Sequence, residues 1–157
     1  MDWSGWAVFG LAATVTLTAI MVAAQLSGLT RMDLPLMLGT LFTDRPDRAR
    51  FLGFLLHLVN GQIFALGYAG AFTALDHSSW WLGALFGLWH GIAALVVIVP
   101  VTAGIHPRVA SDRAGPSLDA VLEPPGLLLL NYGRETPAVT LLAHVVFGAI
   151  LGTFLDP

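Results

Sequence analysis

Four apolar runs, at residues 3–28, 51–75, 80–103 and 137–155, leave this 157-residue chain little choice of fold. Each is close to the 20 or so residues that a helix needs to cross a hydrocarbon core of about 30 Å. Inside lipid the backbone finds no water, so each run has to satisfy its own polar groups as an α-helix. Composition agrees: only 11% of the residues are charged, against about a quarter in a soluble domain. The reading is an all-α, integral membrane four-helix bundle, a single transmembrane domain over residues 1–157 with connections at 29–50 and 104–136.

Orientation follows from the arginines. The chain has no lysine, and Arg31, Arg45, Arg48, Arg50, Arg108, Arg113 and Arg134 all stand in the first and third connections. The positive-inside rule then makes those connections cytoplasmic and puts both termini outside. Trp3, Trp6, Trp80 and Trp81 gather at the opposite boundary, where an indole buries its ring and keeps its N–H wet. The first run opens Met-Asp-Trp with no basic residue and is longer than the apolar core of a signal peptide, so it is expected to persist as a helix. Absence of cysteine excludes disulfides, thiolate ligands and cysteine-held iron–sulfur clusters. The arginines are interleaved with Asp33, Asp44, Asp47 and Asp112 under a net charge of −3, which argues against nucleic acid as a partner.

Short sequences recur between the two halves. "FGL" at 9–11 returns at 86–88, and "HLVNG" at 57–61 is echoed by "HVVFG" at 144–148. Each half also carries an inner proline followed by an apolar run, "DLPLMLGTLF" from Asp33 and "EPPGLLLLNYG" from Glu123. The pattern is two similar halves, each helix, interfacial segment, helix, related by a pseudo-twofold axis along the membrane normal. Both inner runs are too short to cross. An acidic cap, Asp33 or Glu123, and a proline in the first turn suit short helices lying flat in the inner interface, with a re-entrant loop as the alternative. Ser78 or Ser79 is expected to cap the third helix, and Thr136 the fourth with Pro137 at its first position.

The order "MDLPLMLG", "LLHLVNGQIFALGYA", "GLWHG" and a closing "HVVFGAILG" resembles an uncharacterised family of small four-helix bacterial inner-membrane proteins, a domain of unknown function. The resemblance covers most of the chain. It implies a bacterial plasma membrane and a four-helix architecture, and no activity, substrate or catalytic residue.

Three histidines, His57, His90 and His144, fall inside the apolar runs. At the helical rise of 1.5 Å per residue, His57 and His144 sit roughly 10 Å in from the cytoplasmic boundary, with His90 nearer the midplane. Gly53, His57, Asn60, Gly61, Phe64 and Ala71 share one stripe, Gly83, Gly87 and Gly91 run beside His90, and Thr140, His144, Gly148 and Gly152 repeat every four residues. Small residues mark the faces where membrane helices approach closely, so all three rings are expected to face inward.

Such histidines tie helices together, bind a ligand, or relay protons. A b-type haem would take His57 and His144 as axial ligands, Gly61 and Gly148 as gaps for the porphyrin, and Arg45, Arg48, Arg50 and Arg134 for its propionates. A zinc or copper ion would recruit His57, His90 and His144 together. No carboxylate lies inside the apolar runs and no His-Glu-x-x-His is present, so no catalytic residue is assigned. His106 is expected as an interfacial cap beside Pro107, His77 as a solvated turn residue, and Asn60 as a partner for His57. The leading functional expectation is a non-enzymatic accessory or ligand-binding membrane protein. Its rivals are a small transporter or channel subunit with a histidine proton relay, and a scaffold whose glycine faces join a second copy or a larger membrane complex. The third connection is expected as a solvated loop, a cover over the inner mouth or a contact with a neighbouring subunit.

Overall fold

The computed structural model describes residues 3–110 and 122–157. In chain order the elements are α1 (Trp3–Leu26), α2 (Leu34–Gly39), α3 (Pro46–Leu75), α4 (Trp80–Ala93), a π turn (Ala94–Ile98), α5 (Val99–Ile105), a 3-10 segment (Leu127–Tyr132) and α6 (Thr136–Phe154). Among the described residues there is no strand, only an isolated bridge between Val109 and Leu122. Four helical stretches, Trp3–Leu26, Pro46–Leu75, Trp80–Ile105 and Thr136–Phe154, are long and apolar enough to cross a membrane. The expectations attached to residues 111–121, Asp112 and Arg113 among them, lie outside the described residues.

Two boundaries have local causes. The second span starts at Pro46, which needs no N–H in a first turn. The third runs on past Pro100 to Ile105. A proline there removes a helical hydrogen bond and crowds the preceding turn, and the π turn just before it widens the helix enough to pass.

The most intimate packing joins α4 to α6. A Cβ added to Gly83 would overlap the Gly148 carbonyl, one on Gly148 would overlap that of Gly83, and Gly87 and Gly152 press in the same way on the carbonyls of His144 and Ser79. α1 lies against α6 and α3. The Thr14 side chain fills the space over Gly61, while the Trp6 indole N–H donates to the Gln62 carbonyl and the Gln62 amide to that of Ala7, both at 2.9 Å. Toward the tryptophan end the interior is apolar, with Tyr68, Phe72, Phe147, Leu151 and Leu155 buried together.

The two inner runs differ. α2 is a helix as expected: Asp33 accepts from the Leu36 N–H at 2.8 Å and also receives Arg50 at 2.8 Å. It packs directly on the start of α3, with Gly39 against the Ala49 carbonyl and Gly53 against that of Pro35. "EPPGLLLLNYG" forms no α-helix. Leu128 and Leu129 have positive φ angles of 51° and 62°, and Glu123 pairs with Arg31 at 3.0 Å instead of capping. The fully buried Leu129 explains the contortion, since it plugs a second apolar core with Met32, Met37, Leu95 and Val99. One further cap is corrected: Thr136 is the first residue of α6, its hydroxyl 2.7 Å from that of the also buried Thr30. Ser79 takes the N-cap position of α4 as expected, without a side-chain bond.

His106 is a buried clasp and no interfacial cap. Its Nδ1 accepts from the Arg108 N–H at 3.0 Å, so the proton is on Nε2, which donates to the Met37 carbonyl at 2.9 Å. The Arg108 guanidinium reaches the Thr40 carbonyl. Together they hold the end of α5 to α2. Burial, the largest influence, lowers the His106 pKa against the bond to Met37, and the Arg108 charge adds to the lowering.

Two outcomes follow. Gly83→Ala or Gly148→Ala should lower stability by about 1–3 kcal/mol through overpacking. Gly67→Ala or Gly104→Ala, where a Cβ meets nothing within 4 Å, should leave it unchanged or raise it by up to about 1 kcal/mol; thermal melts of the detergent-solubilised variants distinguish the two sets. The unfolded imidazole protonates near pH 6.5, so the stability contributed by neutral His106 is present above that pH and lost as pH falls toward and through the folded-state value. The wild type's thermal advantage over His106→Gln should therefore shrink between about pH 7.5 and pH 5, and an advantage independent of pH would refute the clasp.

Candidate functional site

Between the helices, toward the arginine-bearing end, lies a cavity of about 110 Å³. His57 from α3, His90 from α4 and His144 from α6 all line it. The rings of His90 and His144 meet edge to face, 4.7 Å between centroids and 77° between planes. Phe64 lies over His90 at 4.0 Å, and the Tyr68 hydroxyl is 3.4 Å from His90 Nδ1. This proximity is a product of the α4–α6 contact, because Gly87 and Gly91 sit directly against the His144 residue.

The bonding of His144 fixes its tautomer. Its Nδ1 is 2.8 Å from the Thr140 carbonyl, which can only accept, so Nδ1 carries the proton and Nε2 keeps a free lone pair. A backbone carbonyl holding Nδ1–H is the arrangement that orients a histidine for ligation through Nε2. Thr140 also lines the cavity, and its hydroxyl is buried with no hydrogen-bond partner. An unpartnered buried hydroxyl costs about 1–3 kcal/mol. Ala94 and Ile98 of the π turn form another part of the wall, and π turns inside α-helices recur at functional sites. Asn60 lines the same cavity, but no hydrogen bond joins it to His57.

Size limits what fits. The volume is somewhat below that of a cavity known to take benzene and equals a few waters at about 30 Å³ each. The porphyrin expectation fails on this ground and on the glycines: Gly61 is covered by Thr14 and Gly148 by the Gly83 backbone, so neither leaves a gap. Arg50 and Arg134 are also paired, with Asp33 and Glu135. For zinc or copper, no group of three or more histidine, aspartate or glutamate side chains among the described residues is drawn together as a site built from those donors alone would require. A site of His57, His90 and His144 alone is therefore not preformed.

Residues that sequence reasoning passed over complete the wall. Met21, Met32 and Met37 all line the cavity. The available signal was their position, since every methionine after Met1 falls within 21–37 around the first connection. A larger neighbouring space of about 430 Å³ shares Met21, Met32, Leu34 and His57 with the first and extends to Asp33 and Arg50. On the opposite side, Tyr68, Phe72, Phe86 and Phe147 pack ring against ring. The site thus adjoins a polar rim on one side and an aromatic plug on the other. Compared with known protein families, curated proteins and solved structures, the chain finds no match in any of the three.

Proposed function

We propose that this chain is a bacterial inner-membrane binding protein, a bundle of two similar helix pairs whose histidine cluster holds one small ligand within the bilayer and does no chemistry on it. The observation that carries the reading is the pairing of a free His144 Nε2 lone pair with the unpartnered Thr140 hydroxyl in one cavity that also receives His57 and His90. Buried polar groups in lipid are costly and mark functional sites, and both residues line the same cavity. Access is from the arginine-bearing side, where the larger space reaches Asp33 and Arg50. A transmembrane proton relay gains less support, because the way outward from His90 ends in Phe72, Phe86 and Phe147. Zero lysines and the confinement of arginine to two connections support cytoplasmic loops and external termini.

The binding reading has a direct test in Thr140→Val, which removes the hydroxyl at nearly constant shape. If an occupant partners that hydroxyl, the variant should lose about 1 kcal/mol of thermal stability, and native mass spectrometry of the wild type should show a bound mass above the polypeptide that His144→Leu lacks. A more stable Thr140→Val together with a bare polypeptide mass would sink it.

Topology is testable without a background, since the chain has no cysteine. In spheroplasts a membrane-impermeant maleimide should label His77→Cys at once and Asp44→Cys only after lysis; the reverse order would invert the orientation.

A further inference from the structure

The wall of the cavity is unusual in its donors. Six side chains that bind soft metal ions line it: the imidazoles of His57, His90 and His144 and the thioethers of Met21, Met32 and Met37. They come from α1, the segment after it, α2, α3, α4 and α6, so no single helix's composition brings them together. No aspartate, glutamate or arginine lines this cavity.

We infer that the cavity is a binding site for a soft monovalent metal ion, Cu(I), held by histidine nitrogen and methionine sulfur. The inference rests on the small-ligand reading and names the ligand's class. Thioether sulfur selects Cu(I), whereas magnesium and calcium require oxygen donors. The wall is neutral, so a bound cation keeps its charge uncompensated in a region shielded from water, a cost that is smallest for a single charge. That disfavours zinc, whose protein sites without thiolate or carboxylate rely on three imidazoles, and the three imidazoles here are not gathered for it. Methionine supplies what the histidines lack: three rotatable bonds let its sulfur swing to an ion that the more rigid imidazoles cannot jointly reach. His144 presents Nε2 with its Nδ1–H already held by the Thr140 carbonyl. The adjoining space shares Met21, Met32 and His57 and carries Asp33 at its rim, giving an ion arriving from the arginine-bearing side a carboxylate first and thioethers next.

The experiment uses the full-length protein in detergent, titrated anaerobically with Cu(I) buffered by a colour-forming chelator, followed by X-ray absorption at the copper edge. One ion per chain is expected, with both sulfur and nitrogen in its first coordination shell and no displacement by excess zinc. A variant with Met21→Leu, Met32→Leu and Met37→Leu keeps side-chain volume, and its helicity and melting are checked by circular dichroism. It should bind Cu(I) at least about tenfold more weakly, the scale on which even an outer partner of a metal ligand acts. A shell of nitrogen alone on the wild type, or undiminished affinity in the folded triple variant, overturns the thioether assignment. If Cu(I) does not bind while native mass spectrometry still detects another occupant, the metal inference falls and the small-ligand reading stands. If nothing occupies the cavity under either measurement, both fall.

Discussion

The near-contact of the α4 and α6 backbones governs the rest of this structure. In lipid, apolar side chains gain nothing by leaving a solvent as apolar as themselves, so helices associate through close van der Waals packing and hydrogen bonds. Gly83, Gly87, Gly148 and Gly152 permit that approach by having no Cβ to hold the backbones apart. Once the helices are this close, His90 and His144 have nowhere to go but against each other, at 4.7 Å. The two imidazoles meet where these glycines bring the two backbones together.

The cavity follows from how the two ends of the helices are filled. Toward the tryptophan end, large rings and leucines from α1, α3, α4 and α6 pack into one buried apolar cluster. Toward the arginine end, the covering elements are short and irregular: α2, pinned on α3 by its own glycines, and the 3-10 segment, anchored by Leu129 and by the Arg31–Glu123 pair. Methionines fill that end with adaptable chains. The π turn that precedes Pro100 forms the wall at Ala94 and Ile98. Loose packing and convergent donors therefore occur at one place for separate reasons.

Much of the framework was legible in the residues. Run length gave the four spans to within a few positions, the glycine spacing at 83, 87 and 91 marked the contact face of α4, and Asp33 before Pro35 announced the cap of α2. Thr14, Thr16 and Thr18 return their hydroxyls to their own helix, as threonine in a membrane helix does. Less was legible wherever a residue's partner lay far along the chain. Glu123 has the local signature of a helix cap, yet its carboxylate is claimed by Arg31, 92 residues away. His106 reads as a helix stop, yet its ring is bonded to Met37 on another element. Gly61 and Gly148 read as space, when each was already filled by a neighbouring helix.

By itself the sequence determined the number of helices long and apolar enough to cross a membrane and the glycine faces by which they touch, because those depend on local composition and on a 3.6-residue period that is written into the chain. Only the tertiary structure decided which donors share a cavity, how large that cavity is and which histidine nitrogen is free. Those are properties of distances between elements that no local pattern encodes. Met32 and His144, 112 positions apart in the chain, line one cavity that only the packing of separate elements creates.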